Sequence, residues 1–269
     1  MIKEIDSFDL YEGFIREISY NPMLADPHFE YDRSNLYDSM KKANRKAYVV
    51  TDGEQVSGLF VWLILPDEKY IEMLIGLVKE ESAIKEMLLL IETNYPGHQL
   101  DFVINPKNRF FIDFLQAKHA RFEEEQQWML WEKDFETQTG YEILELTQEY
   151  EAQYIEKHNK DTYWTAEKVI EAKDRFRIFA AVCEGKVIGY MDVTHCYEKN
   201  EPYDLWVEPA YRNQGVEQAL LQAAIEKNKP NQLMVLVDVN NEAEIAMYTS
   251  AGFIPVDRMN SVYATYRSE

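Results

Sequence analysis

The chain has only two cysteines in 269 residues, Cys183 and Cys196, and neither belongs to a metal-ligand spacing. A disulfide framework and a cysteine-based zinc site are thereby excluded, and no metal is expected. Long apolar runs are also missing. The longest, Leu59 to Leu65, falls far short of the roughly 20 residues that a membrane-spanning helix needs. The start, Met1 to Asp6, has no signal-peptide apolar region, so a soluble cytoplasmic protein is expected. Positive charge is scarce: 28 Lys and Arg stand against 48 Asp and Glu, a formal net charge of −20. The deficit is even, since residues 1–135 hold 15 basic and 25 acidic side chains and residues 136–269 hold 13 and 23. Nucleic acid and anionic membranes need a basic face to release counterions, so neither is an expected partner.

What is present suits a globular fold. Apolar residues make up 46 % of the chain and aromatics 13 %, enough for packed cores, and the length favours two domains. An internal comparison supports that division. Ala47 to Trp62 parallels Phe179 to Val193: each is a β-rich run, an acidic-Gly turn (Asp52-Gly53, Glu184-Gly185), then a strand whose glycine (Gly58, Gly189) marks a bulge or a close approach. After the first hairpin the patterning predicts a strand over 70–78, a helix over 83–95, a strand over 99–104 and a helix over 108–118. The boundary is expected in Asp134 to Gly140, where periodicity breaks before the alternating strand Tyr141 to Leu146. Helices are expected over about 149–158 and 166–174, with Thr165 as N-cap of the second, and a closing strand over 261–266.

The most specific feature follows the second hairpin. A short strand ending in Leu205-Trp206-Val207 runs into Arg212-Asn213-Gln214-Gly215 and then into the amphipathic helix that begins Val216-Glu217-Gln218. A glycine there lets backbone approach a ligand closely, and the unpaired N–H groups of a helix's first turn favour an anion. Arg212 can add a charge-assisted bond to the same oxyanion. Downstream come the strand Leu233 to Val239 and then Asn241, Tyr248 and Gly252-Phe253.

In this order and spacing the two segments resemble the GCN5-related N-acetyltransferase (GNAT) superfamily, over about residues 140 to 269. The resemblance implies that acetyl-CoA is the cosubstrate. Its pyrophosphate would lie at Arg212, Asn213, Gln214, Gly215, Val216, Glu217 and Gln218, and its pantetheine arm along Trp206 and Val207, with Asn241 and Tyr248 completing the site. The family's loop commonly has further glycines where this chain has Asn213 and Glu217, and Glu244 stands where an alanine is usual. Tyr248 would protonate the departing thiolate. An acidic residue on the strand before the loop would take the amine's proton, and Asp204 and Glu201 both qualify. His158, Tyr163 and Trp164 fall where the family shapes its acceptor pocket, and such aromatics suit a cationic or planar substrate. His158 can equally be read as surface decoration.

The resemblance extends to a fold class: α/β (α+β), two tandem GNAT-like domains, each a mixed, mostly antiparallel central sheet flanked by helices. Residues 1–135 would form a degenerate copy, because Lys79-Glu80-Glu81-Ser82-Ala83-Ile84 stands where the pyrophosphate loop belongs, with two carboxylates and no glycine. That copy is not expected to bind CoA; scaffold, dimer surface and acceptor-site wall are its open roles. Residues 140–269 would be the acetyltransferase domain, acting on a small-molecule primary amine by direct attack in a ternary complex, as a monomer or homodimer. The alternative is a non-catalytic acyl-CoA-binding or protein-interaction pseudoenzyme.

Overall fold

The computed structural model describes residues 1–31, 33–133, 140–256 and 259–268. The expected domain boundary falls largely on 134–139, outside the described residues. From the N-terminus run β1 (Ile2–Ile5), α1 (Glu12–Ser19), α2 (Pro27–Tyr31), α3 (Ser34–Tyr37), the hairpin β2 (Arg45–Asp52) and β3 (Gln55–Leu65), β4 (Tyr70–Val78), α4 (Glu81–Asn94), β5 (Gln99–Ile104), α5 (Arg109–Ala117), β6 (Arg121–Phe122) and β7 (Gln126–Trp131). Then follow β8 (Glu142–Glu145), α6 (Glu151–Lys157), α7 (Ala166–Glu171), the hairpin β9 (Phe176–Cys183) and β10 (Lys186–Thr194), β11 (Lys199–Asn200), β12 (Pro202–Val207), α8 (Val216–Asn228), β13 (Gln232–Asp238), α9 (Glu242–Ser250), β14 (Phe253–Pro255) and β15 (Val262–Arg267). Among the described residues no helix is long and apolar enough to cross a membrane.

Two compact units result, and they do not follow the linear halves. The first comprises Met1–Gln127, Asp238–Asn240 and Asp257–Glu269; the second comprises Trp128–Val237 and Asn241–Val256. In the first, seven strands are ordered β1-β2-β3-β4-β5-β15-β6. All neighbours are antiparallel except β4 with β5. The chain's last strand therefore closes the first sheet, pairing Val262 to Arg267 with Ile104 to Gln99. Strands β3 and β4 are buried on both faces, which explains their near-continuous apolar sequence. One face packs Ala83, Ile84, Met87, Leu88 and Ile91 of α4, a helical stripe; the other packs Phe14, Ile15 and Ile18 of α1.

In the second unit the strands divide into two sheets, β12-β10-β9-β8 and β11-β13-β7-β14. One core gathers Val216, Leu220, Leu221 and Ala224 of α8 with inward residues of β10, β12 and β13. A smaller cluster on the opposite face of β10 joins Tyr154 of α6, Ala166 of α7 and Tyr190. The two hairpins do repeat one device. In each, the register slips beside the glycine, between Val50 and Thr51 and between Val187 and Gly189. In each, a Cβ on that glycine would press on the following helix: 2.8 Å from Ala83 Cβ at Gly58, and 3.2 Å from Val216 Cγ1 at Gly189. The glycine is what lets the helix start lie on the strand.

Candidate active site

The second unit's sheets part between β12 and β13, and that parting exposes backbone. Strand β12 is the edge of its sheet, hydrogen-bonded to β10 on one side. The Glu208 N–H donates to Ile188 O at 2.8 Å, which fixes the alternation: Glu208 and Trp206 turn their backbone groups toward β10, whereas Val207 and Leu205 turn theirs to the open side. Arg212 Nε donates to Val207 O at 3.1 Å on that open side, so the Val207 N–H and both groups of Leu205 face the gap. Of the two residues expected along the pantetheine arm, Val207 has that orientation and Trp206 does not. Across the gap, among the described residues, β11 pairs with β13 at Gln232 and Leu233 and no further.

The loop that leads into α8 is shaped by left-handed backbone. Asn213 has φ 59° and Gly215, the N-cap of α8, has φ 81°. The first hydrogen bond into the helix is Ala219 N–H to Gly215 O. Among the described residues no N–H from Asn213 to Gln218 has a protein acceptor, which leaves a row of donors at the positive end of the helix. Several side chains of the loop are tied. Gln214 donates to Ala210 O and accepts from the Tyr141 hydroxyl at 2.8 Å each, and Gln218 reaches Ser250 Oγ at 3.3 Å. Glu217 lies in the first turn.

Asn241 caps α9, accepting from Glu244 N at 3.2 Å and donating to the Glu244 carboxylate at 2.8 Å. Tyr248, one turn on, is buried, with Phe253 edge-on at 5.3 Å. Burial, and then the charge of Glu244, push its phenol well above its ordinary value, so the proton stays on oxygen at neutral pH.

The opposite face of β12 carries Asp204 and Trp206. Asp204 lies directly across from Asp192 of β10. Between the two carboxylates comes His158, at the end of α6: its Nε2 is 2.9 Å from Asp192 Oδ2 and 3.6 Å from Asp204 Oδ2, and its Nδ1 is 2.8 Å from Asn159 O. Tyr154 donates to both oxygens of Asp192 at 2.9 Å, and Tyr190 donates to Asp204 Oδ2 at 2.8 Å. His158 is 4 % exposed, so it is no surface histidine. Its ring stacks on Tyr190 at 5.4 Å, Tyr190 stacks on Trp206 at 6.0 Å, and Lys157 Nζ lies 5.0 Å above Trp206. Asp204 alone of the three reaches solvent, with 21 % of its side chain exposed. His158, Asp192 and Asp204 present ligand atoms within 4.8 Å of one another, a donor set of the kind that holds a metal ion. The tyrosine hydroxyls and the imidazole already engage both oxygens of Asp192 and Oδ2 of Asp204.

Glu201, the other candidate base, precedes β12. Burial pushes its carboxyl up, opposed by the Arg175 charge. Tyr163 and Trp164 already meet cations of the chain: Lys168 Nζ lies 4.0 Å over Tyr163 and the Arg175 guanidinium 4.8 Å over Trp164. Sequence reasoning missed Asp192, Tyr154 and Tyr190. The available signal was an aspartate inside the otherwise apolar run Gly189-Tyr190-Met191-Asp192-Val193, where an acid must find a partner.

The first unit treats the corresponding strand differently. β4 pairs with β5 only from Tyr70 to Met73, and beyond that its free edge is taken by the chain itself. Gly76 N–H donates to Asp26 Oδ2 at 2.8 Å, His28 Nδ1 meets Leu74 O at 3.0 Å, and Asn105, just past β5, donates to Pro22 O and Ala25 O. Helix α4 begins at Glu81, three residues after β4 ends, without an intervening loop like that of 208–215.

Residues 143–253 match the family model described as Acetyltransferase (GNAT) family. A tandem GNAT protein from the clavulanic acid biosynthesis pathway is similar over 100 % of this chain and 98 % of its own, with TM-score 0.61 and 14 % identity. A GCN5-related N-acetyltransferase from Sphaerobacter thermophilus is similar over 83 % and 81 %, with TM-score 0.61 and 13 % identity. An acetyltransferase of the GNAT family from Colwellia psychrerythraea covers 100 % of both chains, with TM-score 0.53 and 13 % identity. At such identities these likenesses concern the fold. No curated protein matches the chain.

Proposed function

Starting from a chain of the GNAT superfamily in tandem arrangement, we propose that its second unit transfers the acetyl group of acetyl-CoA to a primary amine of a small molecule, by direct attack in a ternary complex. The observation that carries this reading is the free edge of β12 running into the unpaired N–H groups at the start of α8. The pantetheine arm lies along Val207 and Leu205, and the pyrophosphate meets the N–H groups of Asn213 to Gln218 and the Arg212 guanidinium.

The amine's proton passes to the oxygen of Asp204 that Tyr190 leaves open, breaking an N–H bond and forming O–H. The nitrogen lone pair then forms the C–N bond at the thioester carbonyl, the C–S bond breaks, and Tyr248 gives its proton to the thiolate. Asp204 is favoured over Glu201 because it stands within β12, the strand proposed to carry the cosubstrate, whereas Glu201 precedes that strand and its carboxyl, raised by burial, feels the opposing charge of Arg175. The first unit binds no CoA, in keeping with a β4 edge already occupied by Asp26 and His28. A second reading, a non-catalytic acyl-CoA-binding or protein-interaction pseudoenzyme, is favoured by Glu217 in the first turn of α8, whose carboxylate weakens the cradle for a pyrophosphate.

Isothermal titration of the full chain with acetyl-CoA should give one site, lost in Gly215→Asp, where a carboxylate and a Cβ are added at a left-handed residue among the donors. Two sites, or binding that survives this substitution, would overturn the assignment. A panel of primary amines followed by release of free CoA thiol separates the readings: binding with no thiol released on any amine would favour the second.

A further inference from the structure

The register of β10 with β12 places Asp192 directly opposite Asp204, and like charges at directly opposed positions destabilise a sheet. Asp192 is fully buried, so water does not relieve the repulsion. The imidazole of His158 enters this gap from the end of α6, and both of its nitrogens face acceptors. Nδ1 meets a backbone carbonyl, which cannot donate, and Nε2 meets the Asp192 carboxylate, with Asp204 next nearest. A neutral imidazole has one N–H and could serve only one of these contacts; the imidazolium serves both. The groups facing it agree: Asp192 and Tyr190 from β10, Asp204 from β12, Tyr154 from α6 and the charge of Glu167 from α7. None of these is a cation.

We propose that His158 is an imidazolium counter-ion, held by Asp192, that balances and aims the Asp204 carboxylate, so that His158 and Asp192 are positioning residues for the base. This rests on the reading of Asp204 as the group that takes the amine's proton. Tyr190 and His158 both engage Oδ2, which directs Oδ1 outward as the atom that accepts. Without the imidazolium, Asp204 would face the buried Asp192 charge unopposed across the sheet. Burial of His158 favours the neutral ring, but the Asp192 hydrogen bond, the Asn159 carbonyl and the two carboxylate charges outweigh it, in keeping with the same state.

The test is a pH titration of the full chain, histidine-labelled with nitrogen-15, following both ring nitrogens. His158 should remain imidazolium at pH 7.5, and Asp192→Asn should lower its titration by about 1 unit or more. A neutral His158 at that pH in the parent chain, or a titration unmoved in Asp192→Asn, would overturn the proposal. So would nitrogen shifts that revert only on adding EDTA, because the cluster would then hold a metal. If Asp192→Asn does not fold, His158→Gln replaces it, read through the acid limb of acetyl transfer to an accepted primary amine. That limb should move to higher pH by about 1 unit in His158→Gln and be restored in part by His158→Arg, and an unmoved limb would sink the idea. Failure of the base reading is seen separately: Asp204→Asn would leave transfer intact while the nitrogen titration still shows the imidazolium.

Discussion

The carboxylate of Asp26 accepts the backbone N–H of Gly76 at 2.8 Å while its other oxygen accepts from Phe29 N at 3.0 Å, so one buried side chain fastens the segment before α2 onto the open edge of β4. Asp26→Ala would leave two backbone donors without acceptors where water is excluded. The expected cost is about 2–4 kcal/mol in a urea titration. Asp26→Asn, which keeps an acceptor oxygen, should cost clearly less. A loss below about 1 kcal/mol for the alanine would mean that the segment does not depend on this bond.

The same sheet makes a second prediction about where the chain can be cut. β15 pairs with β5 and β6, far upstream in sequence, while β7 pairs with β14, far downstream. A fragment of residues 138–269 therefore takes β15 away from its sheet and loses β7 from the sheet that holds β13 and β14. Unpaired edges and the apolar face of Val262 and Ala264 would be exposed, and aggregation is the expected outcome. A soluble monomeric fragment with a cooperative thermal transition would contradict this.

How much of this was readable in advance divides along one physical line. Local patterns translated well: the strand expected over 99–104 is β5 to the residue, both hairpins form, and the glycine at the start of α8 adopts the left-handed backbone that its position demands. What escaped was partner choice across long separations. The alternation of Ser261 to Tyr266 is the same whichever strand it lies beside, so nothing local says that its partner is β5. His158 and Asp192, 34 positions apart, meet only because α6 ends against β10. A loop histidine then becomes the buried centre of a charged cluster.

Gly252 gives a third expectation. It has φ 84°, and a Cβ placed on it would lie 1.9 Å from the Lys133 carbonyl oxygen, a backbone atom that cannot swing away. Its own carbonyl meanwhile accepts from Glu132 N and Lys133 N. Gly252→Ala combines the left-handed penalty with a forced backbone shift, so about 3 kcal/mol or more of destabilisation is expected by chemical denaturation. Gly215→Ala, at a similar φ, should cost only about 1–2 kcal/mol, the conformational penalty of a left-handed residue with a side chain.

Tyr248→Phe separates chemistry from packing. The ring is held edge-on to Phe253 in the core and phenylalanine keeps that contact, so stability and acetyl-CoA affinity should change little. If the hydroxyl gives its proton to the thiolate, turnover falls about 10²-fold, the range for loss of a general acid. Turnover within about twofold of the parent, measured as free thiol, would make Tyr248 a packing residue.

The last expectation is a pH dependence of folding stability. Burial works against a charged His158, but its bonds to Asp192 and Asn159 and the nearby carboxylates raise its pKa above the ordinary value of about 6.5. The folded chain thus keeps a proton that the unfolded chain releases first. The resulting stability is complete below about pH 6.5 and is lost as pH rises through the folded pKa, with a slope of at most about 1.4 kcal/mol per pH unit for one proton. Asp192 and Glu201, both raised by burial, start from the lower range of a carboxylate, so the stability they lose with rising pH lies on the acid side of the His158 change and has the same sign. The contribution of His158 is isolated by difference. Urea midpoints of the parent and His158→Gln, taken from pH 5 to 9, should lie furthest apart at acid pH and converge as pH rises above about 6.5. A gap that widens toward alkaline pH would mean that the ring is buried neutral and that its folded pKa is lowered.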